Sequence, residues 1–254
     1  MSTVLVVACD DGIGRCGKST LSQQSLMALF IFGIDQAEEI SGSRECPEEV
    51  CNWERVTCNA DGEVEMLFWS CEWEYGTGTL GLAFLPCSMK NLRMTENALS
   101  GTIKLADLPG KMEAIYVYDN CLTGSLDLDG LPATMKDLRL SNNQFFGEVS
   151  LESLPERLQY LDIANNQLSG AICLTSLPPA LIQLFLEGNH FEGSLDLTQL
   201  PSKLQSIQLC DNIFSADPTK GHLSVVGWTS TPVLGEAMNL FKPLVVFLSW
   251  RRPY

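Results

Sequence analysis

The sequence predicts an α/β solenoid, a horseshoe of stacked coils with a parallel β-sheet on its concave face and few helices. Three observations predict it. First, a frame of glycine, two spaced apolar residues, Leu-Pro and a Leu-x-x-Leu-x-Leu run starts at Gly78 and returns every 23 residues, at Gly101, Gly124, Gly147, Gly170 and Gly193. Second, one asparagine stands at the same offset in all six copies: Asn97, Asn120, Asn143, Asn166, Asn189 and Asn212. Third, no copy holds enough apolar residues to make a core alone, so neighbours must cover each other.

Residues 1–19 are a lead of unassigned role. Gly12-x-x-x-x-Gly17-Lys18-Ser19 matches a phosphate-binding loop, in which backbone amides cradle phosphates, Lys18 neutralises charge and Ser19 holds magnesium. Such a loop needs a parallel sheet of its own, and about 25 residues before the next cysteine cluster leave no room for one. A nucleotide-binding protein using Gly12–Ser19 is therefore the alternative function. The lead also makes a poor signal peptide, with no Lys or Arg before an apolar run of five residues, Val4 to Ala8. Leu26 to Phe32 falls short of the roughly 20 apolar residues that span a bilayer, so no integral membrane span is expected.

Residues 20–77 read as an amino-terminal cap. Thr20 to Phe32, TLSQQSLMALFIF, is its candidate helix, and Cys46, Cys51, Cys58 and Cys71 cluster behind it as a disulfide framework with three possible connectivities. No Cys-x-x-Cys knuckle is present to suggest zinc. A cap is needed because an open solenoid end exposes apolar side chains and strand edges.

Residues 78–215 are the six repeats. In the copy GSLDLDGLPATMKDLRLSNNQFF, the inward set is Leu126, Leu128, Leu131, Met135, Leu138, Leu140 and Phe145. Met135-x-x-Leu138-x-Leu140 alternates as a strand does, and successive strands should pair in parallel. Burying each large aliphatic is worth roughly 1.5 to 3 kcal/mol, which a lone coil cannot realise. The asparagines carry both donor and acceptor, and are expected to satisfy backbone groups of their own coil and the next. The glycines mark tight turns with positive φ or close contact. The prolines after each Leu keep the return path extended or turned. Residues 216–254 leave the frame, with Ala216 in place of glycine and Asp217-Pro218 breaking the pattern. Leu244 to Leu248 reads as a closing strand in a carboxy-terminal cap or tail.

The unit GxLxLxxLPxxLxxLxLxxNxxx, over Gly78 to Ser215, resembles leucine-rich-repeat proteins. Its Gly-x-hydrophobic step is similar to the plant extracellular type, and its Leu-Pro-x-x-Leu run to units of protist, particularly kinetoplastid, proteins. Cys51-Asn52-Trp53-Glu54-Arg55-Val56-Thr57-Cys58 resembles the amino-terminal cap of the plant type. That resemblance implies a Cys51–Cys58 disulfide, leaving Cys46 and Cys71 for each other, and a secreted or cell-surface location. Without a convincing signal peptide, a cytoplasmic protein is the alternative.

A formal net charge of -15 opposes nucleic acid, which needs clustered Lys and Arg. His190 and His222 are the sole histidines, and no zinc-protease helix, nucleophile elbow or kinase set is present. No enzyme, cofactor or metal is expected. The positions free of the packing frame are the outward strand residues, among which Arg93, Tyr116, Tyr118, Arg139 and Tyr160 fall on adjacent strands, extended by Asp162 and Phe185. Tyr and Arg dominate interface hot spots. The expected function is non-catalytic recognition or adhesion, a protein or glycan ligand binding these seven residues. A structural scaffold within a larger assembly is the other reading, and oligomeric state is left open.

Overall fold

The computed structural model describes residues 20–35, 37–43, 47–70, 76–215 and, as backbone, 245–247. The phosphate-loop lookalike at Gly12–Ser19, the expected Cys46–Cys71 pair and most of the 216–254 tail lie outside these residues.

Helix α1 (Gln23–Phe32) starts where the Ser22 hydroxyl accepts the Ser25 amide, and it buries Leu26, Met27, Phe30 and Ile31. Two glutamines fix it to the chain that follows. Gln23 accepts the Val64 amide and donates to the Gly62 carbonyl, while Gln24 accepts the Val50 amide and donates to the Glu48 carbonyl. After a one-turn α2 (Glu38–Ser41), the Cys51–Cys58 disulfide closes over buried Trp53.

The strands follow in chain order: β1 (Val56–Cys58), β2 (Val64–Phe68), β3 (Thr77–Thr79), β4 (Asn91–Arg93), β5 (Ala98–Thr102), β6 (Ala114–Tyr116), β7 (Cys121–Gly124) and β8 (Asp137–Arg139). Then come β9 (Gln144–Glu148), β10 (Tyr160–Asp162), β11 (Gln167–Ala171), β12 (Gln183–Phe185), β13 (His190–Gly193), β14 (Ser206–Gln208), β15 (Ile213–Phe214) and β16 (Val245–Phe247). The even-numbered strands recurring once per coil form a long sheet, ordered β1-β2-β4-β6-β8-β10-β12-β14-β16 and parallel from β2 onward. β2 belongs to the cap yet pairs in register with the first repeat, so the sheet begins before the repeats do.

A second, seven-stranded parallel sheet, β15-β13-β11-β9-β7-β5-β3, runs along another side of every coil. Here the structure departs from the expectation of simple tight turns at the glycines: Gly101, Gly147 and Gly170 lie inside these strands, all with φ between 81° and 89°. Positive φ bends the strand without ending its pairing. At Gly78 the need is steric as well, since a Cβ would stand 2.3 Å from the Gly33 carbonyl oxygen. There the chain after α1 bridges Gly78 through Ile34, antiparallel, and covers the edge strand.

The apolar rows form one continuous core from α1 to Leu209. Between the sheets runs the asparagine ladder. Asn143 Nδ2 reaches the carbonyls of Leu140 and Ser141 at 3.1 Å and of Val117 at 2.9 Å, and its Oδ1 accepts the Leu122 amide at 3.0 Å. Asn120, Asn166, Asn189 and Asn212 repeat the pattern. Each side chain thus bonds to its own coil and the preceding one, where the sequence suggested the following one. The residue before each ladder asparagine, Glu96, Asp119, Asn142, Asn165, Gly188 and Asp211, is left-handed, φ 51–66°. This aims the asparagine inward, and the position takes residue types that tolerate αL.

Candidate functional site

Outward residues of the long sheet fall into columns because register is kept strand to strand. One column reads Phe68, Arg93, Tyr116, Arg139, Asp162, Phe185 and Gln208. Side chains about 4.8 Å apart must touch if they are long. The Arg93 guanidinium lies 5.3 Å from the Phe68 ring centre and 5.7 Å from that of Tyr116. Arg139 lies 5.5 Å from Tyr116 and 5.5 Å from Tyr160, which reaches it from the neighbouring column. The result is an unbroken stack, Phe68–Arg93–Tyr116–Arg139–Tyr160, of alternating rings and cations.

Polar contacts lock the stack. Arg139 donates two hydrogen bonds to Asp137, at 3.0 and 3.1 Å, and the Tyr116 hydroxyl donates to the same carboxylate at 2.9 Å. Burial, followed by the Asp137 charge and that hydrogen bond, pushes Tyr116 up to about 12. The hydrogen bond to Asp137 likewise raises Arg139. Tyr118 sits one column over, its hydroxyl 3.3 Å from an Arg93 nitrogen. All five residues of the expected cluster are therefore brought together.

Asp162 and Phe185 stand at the far end. Asp162 accepts the Ser141 hydroxyl at 2.7 Å and the Ala164 amide at 3.2 Å; burial raises its carboxyl against those bonds. Three neighbours stand outside the cluster that the sequence singled out, although Asp137 and Glu187 fall on outward positions of its strands. Phe68 begins the stack from the cap, outside the repeat frame, and is 43% exposed. Asp137 anchors Arg139. Glu187, on the coil of Phe185, has a buried Oε2 without a hydrogen-bond partner, and burial and then nearby Asp162 push its carboxyl up. Several outward positions prove unavailable: Thr95, Ala114, Asp137, Ser141 and Ala164 are buried, because longer side chains on neighbouring strands close over short ones.

Cys210 ends the column that holds Glu187, and burial followed by the charges of Asp211 and Glu187 raises its thiol. Cys87, Cys121 and Cys173 are also free thiols, whereas Cys51 and Cys58 are joined as the cap resemblance implied. Among the described residues no helix is long and apolar enough to cross a membrane.

The family model for the Leucine Rich Repeat matches residues 157–184. Solved structures share the coil over most of the chain. The fold is that of a leucine-rich-repeat solenoid. Its long sheet is the concave sheet of the horseshoe. The Arabidopsis receptor kinase HAESA, in complex with the peptide hormone IDA and the co-receptor SERK1, aligns with a TM-score of 0.60 at 22% identity, covering 76% of this chain and 38% of that one. The PEPR1–AtPEP1 structure aligns at 0.56 and 22%, covering 76% and 28%. Pollen Receptor Kinase 3 aligns at 0.58 and 19%, covering 78% and 99%. The solenoid thus spans well under half of HAESA and of PEPR1, and at these identities the likeness concerns fold. No curated protein matches the chain.

Proposed function

We propose that the chain is a non-catalytic recognition module, secreted or at the cell surface, that binds a polypeptide on the concave face of its solenoid through Phe68, Arg93, Tyr116, Tyr118, Tyr160 and the adjoining Asp162 and Phe185. The observation that carries this reading is the ring–guanidinium stack. Tyr and Arg offer large contact area with polar edges, and side chains already held by one another have little rotamer freedom left to lose on binding. The stack favours polypeptide over glycan. A sugar ring packs on an open aromatic face, whereas Tyr116 has a guanidinium from each neighbouring strand against its ring.

The solved HAESA structure, which holds a peptide hormone, and the Cys51–Cys58 disulfide, a bond of oxidising compartments, support the extracellular part of the reading. Burial raises the thiol of Cys210, which speaks against that cysteine as a nucleophile. The test is selection of phage-displayed random peptides on the folded protein, followed by rebinding to Phe68→Ser and Tyr118→Phe variants. Enriched peptides should lose binding to Phe68→Ser while its thermal unfolding is unchanged. Peptides indifferent to Phe68 and Tyr118 would reject the face.

A further inference from the structure

The concave face has two charged poles separated by a neutral stretch. At one pole Arg93 is exposed, its guanidinium between the Phe68 and Tyr116 rings with one nitrogen at the Tyr118 hydroxyl. Among the described residues no carboxylate pairs with it, so in-plane N–H donors remain for an incoming anion. In the middle, Arg139 and Asp137 cancel. At the other pole Glu187 is half-buried with Asp162 as the charge acting on it, and among the described residues no cation pairs with it. A partly buried carboxylate beside a second one gains from a ligand cation, which supplies the opposite charge that this end of the face lacks.

We infer, resting on the reading above, that the ligand is an extended polypeptide segment lying across the strands, with a carboxylate side chain at Arg93 and a guanidinium or ammonium group at Glu187. β4 to β12 is four strand steps in the long sheet, about 19 Å. An extended chain rises about 3.3 to 3.6 Å per residue, so the two ligand charges stand about six residues apart. A segment of opposite polarity, or with like charges at both ends, meets repulsion at one pole or both.

The test is peptide selection from a random dodecapeptide phage library on three proteins: the native chain, Arg93→Glu and Glu187→Lys. Native protein should enrich peptides with one acidic and one basic residue five to seven positions apart. Arg93→Glu should turn the acidic position basic, and Glu187→Lys should turn the basic position acidic. Native-selected peptides should bind either variant at least about tenfold more weakly. Thermal unfolding checks each fold; if a reversal unfolds, Arg93→Gln and Glu187→Gln replace it, and loss of the corresponding charge preference is expected. Peptides that require Phe68 but lack the spaced charge pair, or selections unmoved by the reversals, overturn the polarity and leave concave-face recognition standing. Absence of any Phe68-dependent peptide overturns both.

Discussion

The first three coils and the last three present the same backbone to solvent but finish it differently. Along the strand entrances of the early coils, Glu65 pairs with Lys90 and Glu113 with Lys136, each at 2.6 Å, and beside them runs the ring–guanidinium stack. In the later coils the equivalent entrance residues are Gln159, Ile182 and Gln205, with no charge to pair, and Glu187 keeps an oxygen unbonded. Beneath both halves the asparagine ladder and the apolar rows are the same. Stability is therefore a property of the repeat, while the proposed recognition depends on where the surface pairing stops.

Substitutions that cross this boundary test the comparison. The largest effect is expected from the ladder, and it should be equal in both halves: Asn143→Ala and Asn189→Ala each leave several buried carbonyls and an amide unmet, costing about 3 kcal/mol in urea unfolding. A large difference between the two would mean the frame is not uniform. Next, Arg139→Ala should cost about 2 kcal/mol, because nearly buried Asp137 loses its two charged donors.

Glu187→Gln should act in the opposite direction. Its folded carboxyl lies above the ordinary 4.5, so the folded state binds the proton more readily, and stability is lost as pH rises from 4.5 through the raised value. Melting curves of Glu187→Gln and native protein should coincide below pH 4.5, with the variant equal or higher at pH 7; a variant that melts lower at pH 7 would mean the carboxylate is already satisfied. Smallest of all, exposed Arg93→Ala should shift unfolding by less than about 0.5 kcal/mol. A larger loss would make the stack a structural prop rather than a binding surface.

The repeat frame was legible because core packing repeats with the period: Leu138, Leu161 and Leu184 occupy one inward place in successive coils. The cluster from Arg93 to Tyr160 was legible for the same reason, since alternation separates inward from outward residues. The short sheet was not, because its strands carry a glycine at positive φ where a period-2 pattern would look for a side chain. The left-handed column before the asparagines left a trace, in the Asp119, Asn142, Asn165, Gly188 and Asp211 types, that was readable but weak. Phe68 lay outside the frame, and although Asp137 and Glu187 fall on outward positions, that Asp137 turns to anchor Arg139 two residues along its own strand and that Glu187 keeps an oxygen unbonded depends on side-chain geometry that linear spacing does not encode.

Because every coil bonds to its predecessor through the same set of contacts, whole 23-residue units can in principle be removed or inserted between the two poles without disturbing either end. Each change would move Arg93 and Glu187 by one strand step, about 4.8 Å. Under the proposed polarity the solenoid would then act as a caliper whose jaws are set by unit count, and loss or gain of a coil would retune the length of segment gripped by between one and two residues.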